Sequence, residues 1–183
     1  MTDTANEGIS IQYEESGDQA LIAVSNGGTP GFLWSSWDGT QWGVTTPQAL
    51  GDDFEWGRLR ADVGSDNLAL CYLDEDIDIG VLPWDGNAWP TFSTAAHEKT
   101  FAGNAKGGRA TDCAYETTTG RDGYLMSTYS TTTLGGYRYY NGSTWTSDAP
   151  ISSVEDVWTV NSIRTGDGSV LSFFQDDVNS RYD

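Results

Sequence analysis

The acidic side chains are the first candidates for chemistry. Asp74, Asp76 and Asp78 alternate within Asp74-Glu75-Asp76-Ile77-Asp78. Hard carboxylate oxygens at that spacing suit Ca²⁺, the one cofactor the pattern suggests. An EF-hand loop opened at Asp74 needs Gly at its sixth position, but Ile79 stands there and Gly80 comes one residue late. The competing reading is a solvated strand edge, whose charges discourage unwanted pairing. Asp176-Asp177, in the corresponding loop of a later repeat, favours such a shared loop preference. His97-Glu98 has the residue types for acid–base work. It lies in a long connecting segment, Phe92 to Gly108, with a predicted helical turn over Ala95 to Lys99. Glycoside hydrolysis asks only for two carboxyl groups flanking a bond. Among 27 acidic residues such pairs arise by chance and carry no information. A sialidase needs clustered Arg, and the seven Arg here form no matching motif. No nucleophile-elbow motif is present.

Aromatic rings beside Asp or Asn are a second kind of candidate, because a ring stacks on a sugar face while the polar neighbour bonds its hydroxyls. Trp34, Trp56, Tyr137 and Trp158 are the ligand candidates of this kind. Trp56 and Trp158 each precede a predicted first strand, where sealing a junction between repeats is the alternative.

The other rings recur in a pattern. Trp37-Asp38-Gly39-Thr40-Gln41-Trp42, Trp84-Asp85-Gly86-Asn87-Ala88-Trp89 and Tyr140-Asn141-Gly142-Ser143-Thr144-Trp145 share the form aromatic, Asp or Asn, Gly, two variable residues, Trp. Their starts are 47 and 56 residues apart, the period of propeller blades. Asp-Gly and Asn-Gly favour a two-residue type I′ hairpin turn with positive φ at both central positions. That turn would set Trp37 across from Thr40, with Trp42 one diagonal step away on the same face. Recurrence in register is what packing between repeats demands, so these twelve named positions (Trp37, Asp38, Gly39, Trp42 and their counterparts Trp84, Asp85, Gly86, Trp89, Tyr140, Asn141, Gly142, Trp145) are structural. Asn141-Gly142-Ser143 also matches a glycosylation acceptor, for which the turn is a sufficient explanation.

Upstream of each motif lies a nearly continuous apolar run, Ala20–Val24, Leu68–Leu73 and Tyr124–Tyr129, with a fourth at Val170–Phe174. Continuous runs indicate strands buried on both faces. A further strand and a Gly/Asp turn precede each run: Ile9–Tyr13, Leu59–Val63, Thr111–Glu116 and Trp158–Ile163. The chain is therefore expected to be all-β, a β-propeller-like array of four-stranded antiparallel blades. The repeats run approximately over 9–50, 56–92, 109–150 and 156–183, three complete and the fourth truncated. Asp183 stands where the next turn Asp belongs. A longer parent array, a strand from a second chain, or closure by the N-terminal segment would each complete it, and the lack of a Trp in that segment favours the longer array.

The bulk composition narrows function. The net charge is −18, with two Lys against 19 Asp and 8 Glu. Nucleic acid, which requires a basic patch, is excluded as a partner. Membrane insertion is excluded too, since no run approaches the length of a span. A strongly hydrated acidic surface fits a saline habitat, calcium or plain solubility. The polar N-terminus is not a signal peptide. Cys71 and Cys113 form no metal spacing; they are either a disulfide between repeats or two buried thiols.

With these motifs, the chain resembles the blade repeats of bacterial and archaeal cell-surface proteins that carry a Trp-Asp-Gly-x-x-Trp hairpin and, more distantly, the bladed lectins. The resemblance implies a non-catalytic extracellular or cell-surface module for adhesion or surface assembly. Its partners would be itself, further blades, surface proteins or glycans. A glycan-binding lectin is the alternative, and a carbohydrate-active hydrolase with a carboxylate pair the second. An open arc leaves unpaired surface at both ends, so self-association or a longer chain is expected.

Overall fold

The computed structural model describes residues 8–100, 109–130, 135–151 and 157–176, the side chains of Val157, Trp158 and Asp176 excepted. The first blade is an antiparallel sheet of β1 (Ile9–Tyr13), β2 (Ala20–Ser25), β3 (Phe32–Trp37) and β4 (Thr46–Gln48), in that order. The second is β5 (Phe54–Ala61), β6 (Leu68–Asp74), β7 (Ile79–Trp84) and β8 (Glu98–Lys99), with the helical turn α1 (Thr94–His97) before β8. The third is β9 (Thr111–Glu116), β10 (Tyr124–Ser130), β11 (Gly135–Tyr140) and β12 (Ala149–Ile151). Of the fourth unit, β13 (Val157–Arg164) and β14 (Val170–Asp176) pair. First strands of consecutive units contact one another along the array, β1 with β5, β5 with β9, β9 with β13.

The all-β, four-stranded blade architecture is as the repeats predict. Two boundaries differ. β5 starts at Phe54, ahead of the expected Leu59, and the second blade runs on to Lys99 because its outer strand follows α1. The second strands are buried according to their neighbours. β6, with a blade on each side, is buried at all seven positions. β2 is fully buried at Ala20, Leu21 and Ala23 only, since among the described residues a blade packs on just one of its faces. In β14, Phe174 is buried while Leu171 and Phe173 are 45% and 41% exposed.

Each blade has two faces. The registers Ala20↔Trp37, Leu68↔Trp84 and Leu125↔Tyr140 put the three motif aromatics in equivalent places. Because side chains alternate along a strand, all three sit on the face turned toward the preceding blade, called here the back face. The forward face of the first blade, with Leu21, Ala23, Phe32 and half-buried Trp34, packs on the back face of the second, with Leu68, Leu70, Leu82, Trp84 and Trp89. The second blade's Ala69, Cys71 and Val81 pack in turn on Cys113, Tyr115, Leu125 and Tyr140 of the third.

The motif turn is not a two-residue type I′ hairpin. Trp37 bridges to Trp42 and Tyr140 to Trp145, so four residues form the loop and each ring pair is directly cross-strand. Gly39, Gly86 and Gly142 have φ of 91°, 89° and 92°, whereas the preceding Asp or Asn does not have positive φ. The side chain explains the choice. Asp38 Oδ1 accepts the N–H groups of Thr40 and Gln41, both at 2.8 Å. Asp85 and Asn141 do the same for Asn87 and Ala88, and for Ser143 and Thr144. The Asx side chain thus adds two bonds to the backbone bond across each loop, donated by the Asp38, Asp85 and Asn141 N–H groups to the Gln41, Ala88 and Thr144 carbonyls at 3.2, 3.3 and 3.2 Å.

Two further links hold the blades together. Cys71 on β6 and Cys113 on β9 form a disulfide, which decides between the two readings of the cysteines. Asp112 on β9, wholly buried, accepts from Arg58 (3.0 Å) and Arg60 of β5 and from the Ser162 N–H of β13 (2.7 Å). Asn161 joins the network through Arg58 (2.5 Å).

Candidate functional site

Registers three residues before each motif aromatic decide whether a blade junction is filled or open. Trp34 stands across from Ala23, Val81 from Cys71 and Tyr137 from Thr128, so the three are equivalent forward-face positions. At the first junction Trp34 reaches over the next blade's rings, 5.1 Å from Trp84 and 6.5 Å from Trp89. At the second junction the smaller Val81 leaves a groove of about 330 Å³. Its walls are Val81, Pro83 and Trp89 on one side and Tyr115, Leu125 and Tyr140 on the other. Asp62, Asn67 and Asp85 add polar groups to its lining. Trp89 carries a buried indole N–H with no partner among the described residues.

A second groove, of about 360 Å³, lies on the forward face of the third blade. Tyr124, Tyr137 and Tyr139 form its aromatic surface. Tyr137 stands edge-on to Tyr139 with ring centroids 5.9 Å apart. The Arg121 guanidinium lies 4.2 Å from the centre of the Tyr139 ring and 3.7 Å from a Glu116 carboxylate oxygen. Burial, reinforced by a hydrogen bond to Glu116, pushes the Tyr139 hydroxyl up to about 12, so it remains a protonated donor. Tyr139 and Tyr137 occupy the register of Pro83 and Val81, so the two grooves sit in equivalent places on consecutive blades.

The predicted ligand residues fare differently. Tyr137 lines the second groove. Trp34 packs at the first junction and also lines a groove of about 350 Å³ with Ile22, Leu33 and Trp42 of its own blade, and Trp56, 4% exposed, is a junction wall packed with Leu73, Ile79 and Tyr129. The Trp158 side chain lies outside the described residues. Of the motif residues, Trp84, Trp89 and Tyr140 are buried, while Trp42 in the first blade is 44% exposed.

The acidic segment closes a loop. Asp74, 1% exposed, accepts the Asp78 N–H at 2.9 Å, and Asp78 accepts from Thr100 at 2.9 Å. Asp76 is exposed. Among the described residues, no group of three or more His, Cys, Asp or Glu is placed to hold a metal ion. Burial, with repulsion from Glu98, Asp78 and Asp52, raises Asp74 to about 7 against the opposing Asp78 hydrogen bond. Burial and the same acidic surroundings raise Glu98 to about 7. His97 is no open acid–base group. It is buried, its Nδ1 accepts the Ser93 N–H at 3.1 Å, and it sits near the Phe92 and Tyr140 rings. Burial lowers its pKa.

Sequence reasoning passed over Asp62, Asn67, Tyr115 and Arg121. The available signal was the change from Trp34 to Val81 to Tyr137 at one offset from the motif, legible once that offset is known to face the next blade.

The sequence matches no protein-family model and no curated protein. Solved structures do resemble the fold. A lectin from Aleuria aurantia, described as a fungal lectin with a six-bladed β-propeller fold and a novel fucose recognition mode, superposes with a TM-score of 0.56 at 16% identity. The match covers 87% of this chain and 50% of that one. A mutant of the same lectin in complex with Fucα1-6GlcNAc matches at 0.56 and 15% identity over the same shares. A fucose lectin from Kordia zhangzhouensis, in complex with methyl-fucoside, gives 0.45 at 15% identity over 81% of this chain and 100% of that one. The chain spans about half the length of the Aleuria lectin, and the likeness shows the fold: an arc of a β-propeller.

Proposed function

We propose that the chain is a non-catalytic glycan-binding module that takes sugars in grooves on the forward faces of the second and third blades. The observation that carries this reading is the recurrence of an aromatic-walled, polar-lined groove at the same register of the second and third blades. Such grooves combine apolar faces for a pyranose ring with a few directed polar groups. In the first, Tyr115 and Tyr140 offer the rings, and Asp62, Asn67 and Asp85 the hydrogen bonds. In the second, Tyr137 and Tyr139 offer the rings, and Arg121 the cation. The fold-level likeness to lectins whose structures hold fucosides makes α-methyl-L-fucoside the first probe. The Cys71–Cys113 disulfide supports an oxidising setting, outside the cell or at its surface.

A glycan array on the purified chain, repeated with calcium and with chelator, tests the reading. Binding to a related set of sugars is expected in both conditions, because Asp74, Asp76 and Asp78 line neither groove. Calorimetry on two variants then locates it. Val81→Trp reproduces the filled junction of Trp34 and closes the first groove. Tyr137→Ala removes a wall of the second, and an affinity loss there of about tenfold corresponds to ~1.4 kcal/mol. Silence on the array in both conditions, or unaltered binding by the double variant, overturns the proposal.

A further inference from the structure

We propose that the first groove takes a sugar carrying a protonated amine, a hexosamine that is not N-acetylated, and that Asp62 and Asp85 select it over the hydroxyl sugar. The inference rests on the glycan reading above and names the ligand class of one groove.

The two grooves differ in charge. Arg121 lines the second, whereas the first has two carboxylates, Asp62 and Asp85, and no Lys, Arg or His in its lining. Neither carboxylate makes an ion pair among the described residues. Nearby cations are engaged elsewhere. Arg121, two residues before the lining residue Gly123, is turned to Glu116 and the Tyr139 ring on the forward face of the third blade. Arg58 and Arg60 are held by Asp112. Each carboxylate of the groove has one oxygen in use and one spare. Asp62 Oδ2 accepts the Ser65 hydroxyl at 3.0 Å. Asp85 Oδ1 accepts the Ala88 and Asn87 N–H groups at 2.8 and 2.9 Å, and these bonds hold its carboxyl below the usual range, ionised. Asp62 Oδ1 and Asp85 Oδ2 have no hydrogen-bond partner among the described residues.

A second observation is independent of the acids. Tyr115 and Tyr140 line the same groove and are 8% and 4% exposed, and neither hydroxyl has a hydrogen-bond partner among the described residues. Buried polar groups are normally paired, so two such hydroxyls on one cavity mark a place for a polar ligand group. Tyr115 stands beside Asp62. Burial first, then the Asp62 carboxylate and the Tyr140 hydroxyl, raises its pKa, so it stays protonated. An ammonium brings N–H donors and no acceptor. Carboxylate oxygens, phenol oxygens and aromatic rings are the groups it favours, and the carboxylate bonds are charge-assisted. A hydroxyl in the same place gains no charge assistance from a cation. An acetamido group loses the charge and adds bulk to a groove of about 330 Å³.

Calorimetry on the 183-residue chain tests this with matched methyl hexopyranosides, in gluco and galacto configuration. Members of a set differ only in an ammonium, a hydroxyl or an acetamido group on the carbon next to the anomeric one. In one configuration or both, the ammonium sugar is expected to bind about tenfold more tightly than its two counterparts. Asp62→Asn combined with Asp85→Asn keeps acceptors for Ser65, Asn87 and Ala88 and should remove that preference. Two charges out of a net −18 barely alter the field of the whole chain, so a preference lost in this variant is local to the groove. Val81→Trp, which closes the groove, should abolish the preference as well. Neutral sugars, α-methyl-L-fucoside included, that bind as tightly as the ammonium sugar overturn this inference and leave the glycan reading standing. Silence from every sugar overturns both. A preference that survives either variant places the amine outside the groove, and trilysine bound as tightly as the amino sugar assigns the groove to a basic peptide; each of these also overturns the inference.

Discussion

Asp112 shows how one residue without a motif signature binds three units. It offers a single buried carboxylate to two guanidinium groups from β5 and a backbone N–H from β13. Replacing it with Ala strands the Ser162 N–H and leaves Arg58 and Arg60 without their shared counter-charge. Removing one partner of a buried pair is costly, so Asp112→Ala is expected to lose about 3 kcal/mol in a denaturant melt. Asp74 and Glu98 behave in the opposite way. Their folded pKa values near 7 lie above the ordinary carboxylate range, so between about pH 4 and 7 the folded state binds more protons than the unfolded one. The stabilisation is complete below the unfolded pKa and is lost as pH rises through 7. The melting temperature should therefore fall from pH 5 to pH 8. Asp74→Asn, which keeps an acceptor for the Asp78 N–H, should flatten that slope. Neither feature was legible in the sequence. Alternating Asp residues fit calcium ligands and, more readily, a wet edge, because burial of Asp74 depends on which strands cover it.

At the scale of the element, much more was legible. Continuous apolar runs located β2, β6, β10 and β14, and the paired rings located the hairpins, because strand burial and turn chemistry are local properties. The turn type was not. The Asp-Gly pair fits a two-residue turn, but a carboxylate accepting two N–H groups makes the four-residue loop self-sufficient. Asp85→Ala should therefore cost about 1 kcal/mol, the net worth of a hydrogen bond or two. Asp85→Asn should restore most of it, since Asn141 performs the same task in the third blade. Blades two and three also share a device that the sequence hides. Tyr72 lies over Gly80 and Tyr129 over Gly136, where an added Cβ would meet the ring at 2.1 Å and 2.5 Å. A strand glycine in these blades is thus a seat for a cross-strand ring rather than a flexible point. Gly80→Ala should displace Tyr72 and, as an overpacked core, cost roughly 1 to 3 kcal/mol in a thermal or denaturant melt.

For the whole molecule, the disulfide is the covalent tie between blades, linking the middle strand of the second to the first strand of the third across 42 residues. Closing a loop of that length constrains the unfolded chain by about 4 kcal/mol. Reduction should lower the melting temperature without changing the strand content of the native baseline in circular dichroism. Which cysteine pairs with which was trivial with two residues, but that they meet at all follows only from the order of the blades. The same holds for the grooves: the aromatic types are visible in the sequence, whereas their distribution between filled and open junctions depends on which face of β3, β7 and β11 looks forward.

For the glycan binding proposed above, that distribution has a consequence for binding strength. One side chain, Trp34 in the first blade and Val81 in the second, plugs a junction or leaves it open, while the ring pairs that hold the blades together stay unchanged. Valency can therefore be dialled blade by blade without rebuilding the scaffold. Sites at fixed spacing on a rigid arc gain avidity on a multivalent surface that none has alone. Trp34→Val should add a binding site to the stoichiometry measured by calorimetry, and tighten attachment to a densely glycosylated surface far more than to the free sugar.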